Sequence, residues 1–568
     1  MKNGKIARLP MAWLCAAAVL ATGACVELEI ENFNAPDRDR AISTPSDIQA
    51  LISGTYLYWE STVTHRHPAP VMSTVADAVS SSWGNYGMRD ASSEPRVAFN
   101  NDPAYSSADV VELPWNWSYV VLAALTDGLN ATRDNRADMV KELTEDGTKR
   151  LEVFGKMLQG LSLAALSVIF DQAIIVDEDT NLDSLKLSPY NEVWEAARTK
   201  LTEAIDMAQG GTWDIPTEWV GCNGAWSAGR LAEIARAYRA RYAVQVPRTP
   251  EERENLDWAA IKADAAPGLA GGTHGGYYDA CIWGWAGYKW PLLMHNGWGR
   301  ADIRWVGPAD ASGKWEEWMA ADLDDRRAFD IDTDDRRVTG DTPDSDGMYI
   351  EYNGGSPFRP ERGYYHFSNY RDYRFDYILT ENQFLGLWPD MTEKELEFIE
   401  AEADYRMGNR NAAMATVNRY RTMNGKLPPF RSAGDVAPGG NRCVPQHPDG
   451  SCGDLWEALK YEKRIETNGY GMGVEYFDDR GWGDLVQYSW QQLPIPGAEI
   501  EILQLEGGIY TFGGPGGNSS APYLGVSNGM KELLGQRTPE ALRLKRKLLD
   551  ARRHLLEVRP DDDVPVNR

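Results

Sequence analysis

The chain has 568 residues, 43% hydrophobic and 25% charged, with 84 acidic against 58 basic side chains and a formal net charge of −26. That acidity repels phosphate backbones and anionic headgroups, which excludes nucleic acid and an anionic membrane surface as partners for the body of the chain. Length alone allows two or more domains, yet no Gly/Ser or Pro linker separates folded halves.

The N-terminus carries Lys2, Lys5 and Arg8, then an apolar run from Met11 to Ala21, then the small residues Thr22, Gly23 and Ala24 before Cys25. The run is shorter than the ~20 apolar residues that a membrane span needs. It has the layout of an export signal. Residues 1–24 are predicted to be a lipoprotein signal peptide, with Cys25 lipidated as the first mature residue. Thr22 stands where such patterns prefer Leu, so cleavage as an ordinary secretory signal is the alternative. Loss of residues 1–24 removes three cations and no acid, moving the formal charge from −26 to −29. Residues 25–44, polar and unpatterned, read as a lipid-anchored tether. Residues 45–568 read as a single domain, with no second apolar segment long enough to span a bilayer.

From Pro45 onward, helical periodicity recurs. Ser46-Asp47 caps a helix running to about Trp59. Further helices are predicted over roughly 116–131, 150–170, 189–209, 226–246, 255–268, 454–468 and 538–556. Phe154 to Phe170 is nearly all apolar and should form a buried central helix. The segments 60–114, 270–390, 428–453 and 500–536 are long and irregular. Loops of that length are functional or disordered. Their richness in Trp, Tyr and Gly argues against disorder and for an ordered loop layer on a helical scaffold.

Met391 to Leu427 reads as two helices joined by a tight turn. Thr392 is placed as N-cap, and Glu393 and Glu395 set negative charge on the first turn. Leu396, Ile399, Ala403 and Met407 follow as an apolar stripe. Gly408-Asn409 stops that helix. Ala412, Ala413, Val417 and Tyr420 line one face of the next, and Ala403 with Ala413 would allow close approach. The run from Gly408 to Val417 is similar to the turn and second helix of a tetratricopeptide repeat, although the pairs are too unevenly spaced for a regular solenoid.

Beyond that repeat, Met391–Leu427 resembles, nearly residue for residue, a segment of the SusD/RagB family of outer-membrane nutrient-binding lipoproteins. Other blocks are similar in the same order. They begin at Val26 (VELEIENFNAPDRDRAISTPSDIQALISGTYLYW), Glu152 (EVFGKMLQGLSLAALSVIFDQ), Trp226 (WSAGRLAEIARAYRARYAVQ) and Leu455 (LWEALKYEKRIETNGYGMGVEYFDDRGWGDL). The last, Leu493-Pro494-Ile495-Pro496 with Glu499-Ile500, resembles the family's closing motif. The chain departs at Lys156, Gln159 and Gly160, where Arg is common, and after Glu506. The resemblance implies a mainly α fold, in which irregular tetratricopeptide-like helical pairs form a scaffold with a large loop-rich face. It also implies a cell-surface lipoprotein without enzymatic activity or cofactor, working with a TonB-dependent outer-membrane transporter on an oligosaccharide or peptide ligand.

Two aromatic clusters are the candidate ligand contacts. A flat apolar ring matches the C–H face of a pyranose. The first is Trp83, with Asn85 and Tyr86. The second is Trp283, Trp285, Tyr288, Trp290, Trp298 and Trp305, broken by glycines that mark a shaped loop. Asn296, Arg300 and Arg304 could supply hydrogen bonds. The bland alternative is that these rings pack the loop layer onto the helices. Of the six cysteines, Cys443 and Cys452 bracket VPQHPDGS and should form a local disulfide, leaving Cys222 and Cys281 to pair by elimination. The Asp-rich run from Asp322 to Asp346 has alternating Asp330, Asp332 and Asp334, but Asp335 and Asp341 stand where a calcium loop needs Gly and Glu. A salt-bridged run is the expectation there, with no metal. No nucleophile elbow, zinc motif or phosphate loop occurs. A secreted helical glycoside hydrolase, with a carboxylate pair in an aromatic cleft, is the competing function.

Overall fold

The computed structural model describes residues 42–64, 67–81, 85–94, 96–180, 185–220, 224–268, 273–278, 297–355, 367–377 and 386–503. Cys25, Trp83, Cys222, Cys281, Trp283, Trp285, Tyr288, Trp290, Asn296 and the expected helix over 538–556 lie outside them.

Eleven principal helices organise the described chain. The first five are α1 (Pro45–Thr64), α2 (Ala69–Val75), α3 (Asp109–Asp134), α4 (Arg136–Ile169) and α5 (Tyr190–Ala208). Then follow α6 (Ala228–Gln245), α7 (Trp258–Ala265), α8 (Glu393–Arg406), α9 (Arg410–Met423), α10 (Leu455–Thr467) and α11 (Val474–Trp482). Helices adjacent in sequence pack as pairs, α3 on α4, α4 on α5, α5 on α6 and α8 on α9, with α10 closing on α8 and α9. The fold is mainly α, an irregular stack of helical pairs. The strands are short antiparallel pairs: β1 (Val79–Ser80) with β7 (Arg300–Ala301), β2 (Gln172–Ile174) with β3 (Leu187–Pro189), β4 (Asp214–Ile215) with β5 (Trp226–Ser227), β6 (Thr273–Tyr278) with β10 (Gly386–Thr392), and β8 (Ile350–Tyr352) with β9 (Tyr370–Asp372).

The central helix is α4. From Val153 to Ile169 every residue but Lys156 is buried. By length and composition α4 could cross a membrane, which corrects the expectation that no such segment follows the signal; 89% of its most apolar window is enclosed by protein. It also starts earlier than periodicity indicates. Residues 136–143 are joined to it through Thr144, at φ 68° and ψ 169°. The Thr144 hydroxyl accepts the Gly147 N–H at 3.2 Å, capping the apolar half. Gly160 lets α5 approach: a Cβ there would sit 2.7 Å from Leu201 Cγ.

Local details depart from the sequence expectations. The α1 cap is Thr44, whose hydroxyl accepts the Asp47 N–H at 3.2 Å, and Pro45 takes the first helical position. Thr392 holds the cap position of α8 without a capping side-chain bond. Glu395 is buried and bonded to Arg241 Nε at 2.7 Å, so it serves a core ion pair and not the helix terminus. Met407 and Ala412 are exposed. Ala401, not Ala403, shares a core cluster with Ala413 and Val417; Ala403 faces the larger core. The region 60–114, expected to be irregular, contains the fully buried α2, and α11 lies where no helix was predicted.

The family-like closing segment docks on α4. Leu493 N–H donates to Ile169 O at 2.8 Å, and Asn101 Nδ2 donates to Ile495 O at 2.9 Å. Two buried arginines serve the carbonyl ends of α4 and α6. Arg248 Nη2 donates to Ser167 O and Phe170 O at 2.6 and 3.1 Å. Arg480 donates to Val168 O at 3.1 Å and to Gln245 O. Cations there complement the negative helix ends.

Candidate functional site

Tyr86 and Trp298, one from each aromatic cluster and about two hundred residues apart in sequence, come together. Their junction is the β1–β7 pair, with Val79 opposite Ala301 and Ser80 opposite Arg300. Asp302 N–H extends it to Ala78 O at 3.2 Å, and Ser81 Oγ donates to Trp298 O at 2.7 Å. Past this junction, Tyr86 and Trp298 pack on the fully buried Met88. Both rings remain partly exposed. His67 meets Tyr86 edge to face, with centroids 5.5 Å apart, and its Nε2 lies 3.3 Å from Asp109 Oδ2.

Tyr86 itself is held at φ 60° and ψ 17°, a left-handed conformation uncommon outside glycine, and Gly87 follows at φ 69°. A bulky residue kept in that region marks a position where the surrounding structure fixes ring placement. Asn85 opens the same turn.

The remaining predicted contacts take other positions. Arg300 is 2% exposed, with Nη2 3.3 Å from both Asn353 Oδ1 and Gly355 O. Burial, aided by nearby Arg371, pushes its pKa down. Trp305 is turned into a core cluster with Val306, Tyr461 and Ile465, so its ring is not a surface platform. Arg304 is bonded to Glu94, lies 3.9 Å from Asp77, and stacks over Trp318 at 5.3 Å. Arg326 stacks on the same ring at 4.2 Å.

Beneath the junction lies a charge network that sequence reasoning missed. Arg96 Nη2 grips both Asp77 oxygens at 2.7 Å. Ser80 Oγ donates to Asp302, whose pKa rises to about 8 through burial and then the Asp77 charge. One local signal was available: Asp302 caps the short helix Ile303–Val306, accepting the Arg304 N–H at 2.8 Å. The network anchors β1 to β7 and so sets the spacing of the two aromatic segments.

Three aspartates of the Asp-rich run are paired with arginines. Asp332 and Asp334 hold Arg442 at 2.9 and 3.0 Å, and Asp335 holds Arg337 at 2.7 Å. No group of three or more metal-ligating side chains occurs among the described residues. Cys443 and Cys452 are disulfide-bonded, with Cα atoms 5.8 Å apart.

No family model matches the chain, and no curated protein matches it. Among solved structures it is similar to a SusD-like protein from Bacteroides fragilis, at 13% identity and TM-score 0.47, covering 82% of this chain and 96% of that one. A SusD-like carbohydrate-binding protein from the same organism aligns at 15% identity and TM-score 0.45, over 81% and 91%. A structure containing a xylogluco-oligosaccharide aligns at 12% and 0.42, over 78% and 83%.

Proposed function

We propose that this protein is a cell-surface nutrient-binding lipoprotein of the SusD/RagB kind, anchored to the outer membrane through Cys25. In this reading it captures an oligosaccharide and passes it to a TonB-dependent outer-membrane transporter, with no catalytic step of its own. The observation that carries the reading is the meeting of Tyr86 and Trp298 on Met88, across a strand pair that joins two aromatic, glycine-rich segments. Rigid, partly exposed rings beside hydrogen-bonding loops are the means by which proteins hold sugar faces without chemistry. The ordered sequence blocks from Val26 to Ile500 support the family, and the paired helices supply the scaffold that those blocks imply. Trp83, Trp283, Trp285, Tyr288 and Trp290 belong to the same two segments and are proposed to extend the ring face, with Cys222 and Cys281 pairing as a second disulfide.

A glycan and peptide binding screen on residues 26–568 tests this. Saturable oligosaccharide binding without product release is expected. Trp298→Ala should weaken it about tenfold, the loss of one stacked ring at ~1–1.5 kcal/mol. Release of shortened glycan would overturn the non-catalytic reading in favour of a hydrolase, and binding of peptides alone would move the ligand class. Separately, Cys25→Ser should transfer the protein from the membrane pellet to the soluble fraction.

A further inference from the structure

A cavity of about 310 Å³ lies at the low end of the range for small-molecule sites. None of Tyr86, Trp298 and Arg300 lines it, so it is not part of the ring face. Five carboxylates line it, those of Asp77, Glu457, Glu475, Asp479 and Asp484, against the cations Arg304, Lys460 and Arg464. The three cations are already engaged. Lys460 Nζ lies 2.9 Å from both Glu457 and Asp484. Arg464 spans Asp479 and Asp484, at 2.6 and 2.5 Å. Arg304 is drawn to Glu94 at 2.5 Å, while Arg96 holds Asp77 at 2.7 Å. Glu475 is left over. Its oxygens accept from the Ser73 hydroxyl and, at 3.3 Å, from the Gly469 N–H, both neutral. No cation among the described residues pairs with it, and burial lifts its pKa to about 7.

The wall therefore carries more acid than base, and the carboxyl without a counter-charge is buried in it. A buried anion with no cationic partner is costly, and an entering cation relieves that cost. A bare calcium ion does not fit the role, because it needs six or more oxygen ligands, and no group of three or more metal-ligating side chains occurs among the described residues. An organic ammonium does fit. The indole rings of Trp305 and Trp315 line the same cavity, and both their N–H groups are buried without an acceptor. An indole N–H only donates, so a ligand that satisfies it must bring an oxygen acceptor besides its cation. A hydroxyl accepts without adding charge to the acidic wall, whereas a carboxylate would add one. Met319 and Val486 supply apolar surface for a hydrocarbon branch. From the uncompensated acid, the two orphan donors and the size of the cavity, we propose that it is a second binding site that takes a small aliphatic amino alcohol in its ammonium form.

The experiment is titration of leucinol into the 26–568 protein at pH 8, read by calorimetry and ligand-observed NMR. Saturable binding is expected, with a dissociation constant on the order of millimolar. Three further probes divide the chemistry. N-acetylleucinol, which carries no charge, and leucine, whose carboxylate meets the acidic wall, should each bind at least tenfold more weakly. Isopentylamine, which keeps the ammonium and lacks the hydroxyl, should bind about tenfold more weakly. Glu475→Gln, which keeps the side-chain shape and removes the charge, should weaken leucinol at least tenfold. At least one of Trp305→Phe and Trp315→Phe should bring leucinol down to the level of isopentylamine while leaving isopentylamine unchanged, a result that a mere loss of packing does not give. Val486→Trp, which fills the cavity, should abolish binding; Met319→Trp replaces it if it does not melt like the parent. The inference is overturned if leucinol does not saturate, if its binding survives both Glu475→Gln and the cavity-filling variant, or if any of the three comparison probes binds as tightly. It is also overturned if neither indole variant narrows the gap between leucinol and isopentylamine.

Discussion

Helices α1, α3, α4 and α5 bury apolar side chains almost throughout, with Glu60 and Lys200 as the charged exceptions. Helices α8, α10 and α11 bury Glu395, Glu402, Lys463, Glu466, Asp478 and Arg480 among their core positions. The first group is held by contact density, with Gly160 admitting Leu201. The second is held by ion pairs that water does not reach. Arg253, fully buried, donates to Glu402 at 2.6 Å and to Asp478 at 2.9 Å, and Lys463 shares Asp478 at 2.8 Å. Such a network is exacting: complete, it fixes one helix arrangement, and with one partner removed it strands a charge.

The largest expected effect follows from that asymmetry. Glu402→Ala leaves Arg253 half-paired and Trp482 Nε1 without its 3.1 Å acceptor. Destabilisation of about 3–5 kcal/mol is expected in urea unfolding. A loss below 1 kcal/mol would mean that the network is not desolvated. Leu161→Ala in the apolar stack should fall in a similar range, about 2–5 kcal/mol, by cavity creation. Arg253→Met combined with Glu402→Leu, with Asp478 kept as the partner of Lys463, should recover part of the Glu402→Ala loss, which no partner change can do at Leu161.

Protonation separates the regions next. Burial, with a Ser73 hydrogen bond opposing, lifts Glu475 to about 7. Burial also lifts Asp479 to about 7 against the pull of Arg464, and Asp302 stands at about 8. Carboxyls with raised folded pKa values hold their protons more tightly folded than unfolded. Their stabilisation is complete below about pH 4 and is lost as pH rises toward 8. Glu402 and Glu466 shift the other way: burial raises them, and Arg253 and Arg337 outweigh it. Their contribution is lost as pH falls below the ordinary carboxylate value. Stability should therefore peak under mildly acidic conditions and decline from pH 5 to pH 8, by an amount on the order of a few kcal/mol. Glu475→Gln should flatten the alkaline side in urea midpoints taken at pH 5, 7 and 9, and an unchanged slope would remove Glu475 as its source.

The same contrast explains what could be read before the structure. The central helix and the helices over 189–209 and 226–246 were legible because their buried faces are mostly apolar at helical spacing, and 454–468 because Leu455, Ala458, Leu459 and Ile465 keep that spacing among its buried charges. Helix α11, VEYFDDRGW, was not: four of its nine residues are charged and all nine are buried. Partners such as Arg464 and Lys463 lie on another helix, beyond the reach of any local pattern. Composition singles out the segments that carry Tyr86 and Trp298, which both pack on Met88, but it groups Trp305 with them, because an aromatic in a Gly-rich loop looks the same whether it faces water or core. The Asp77–Arg96–Asp302 anchoring beneath these rings depends on contacts across more than two hundred residues.

A middle-sized effect tests the apolar stack on its own terms. Gly160→Ala places a methyl group 2.7 Å from Leu201 Cγ and 3.0 Å from the Leu201 backbone nitrogen. The backbone neighbour cannot rotate away, so α4 and α5 must separate. The helix-propensity gain of Ala over Gly, ~1 kcal/mol, works in the opposite direction. A net loss of about 1–2 kcal/mol is expected, because overpacking costs ~1–3 kcal/mol. A stabilised variant would show that the α4–α5 contact is loose.

The smallest effect isolates burial from ion pairing. Glu195 and Arg198 form a hydrogen-bonded pair one turn apart on α5, with side chains 57% and 52% exposed. The chemical groups match those of Glu402 and Arg253. What differs is that water solvates either partner when the other is removed, so no stranded charge results. Glu195→Ala should change stability by less than ~0.5 kcal/mol, within the range of exposed pairs, and high salt should reduce even that. A loss approaching that of Glu402→Ala would mean that pairing alone sets the strength of these bridges. The difference between the two helix groups would then have to come from packing and not from the exclusion of water.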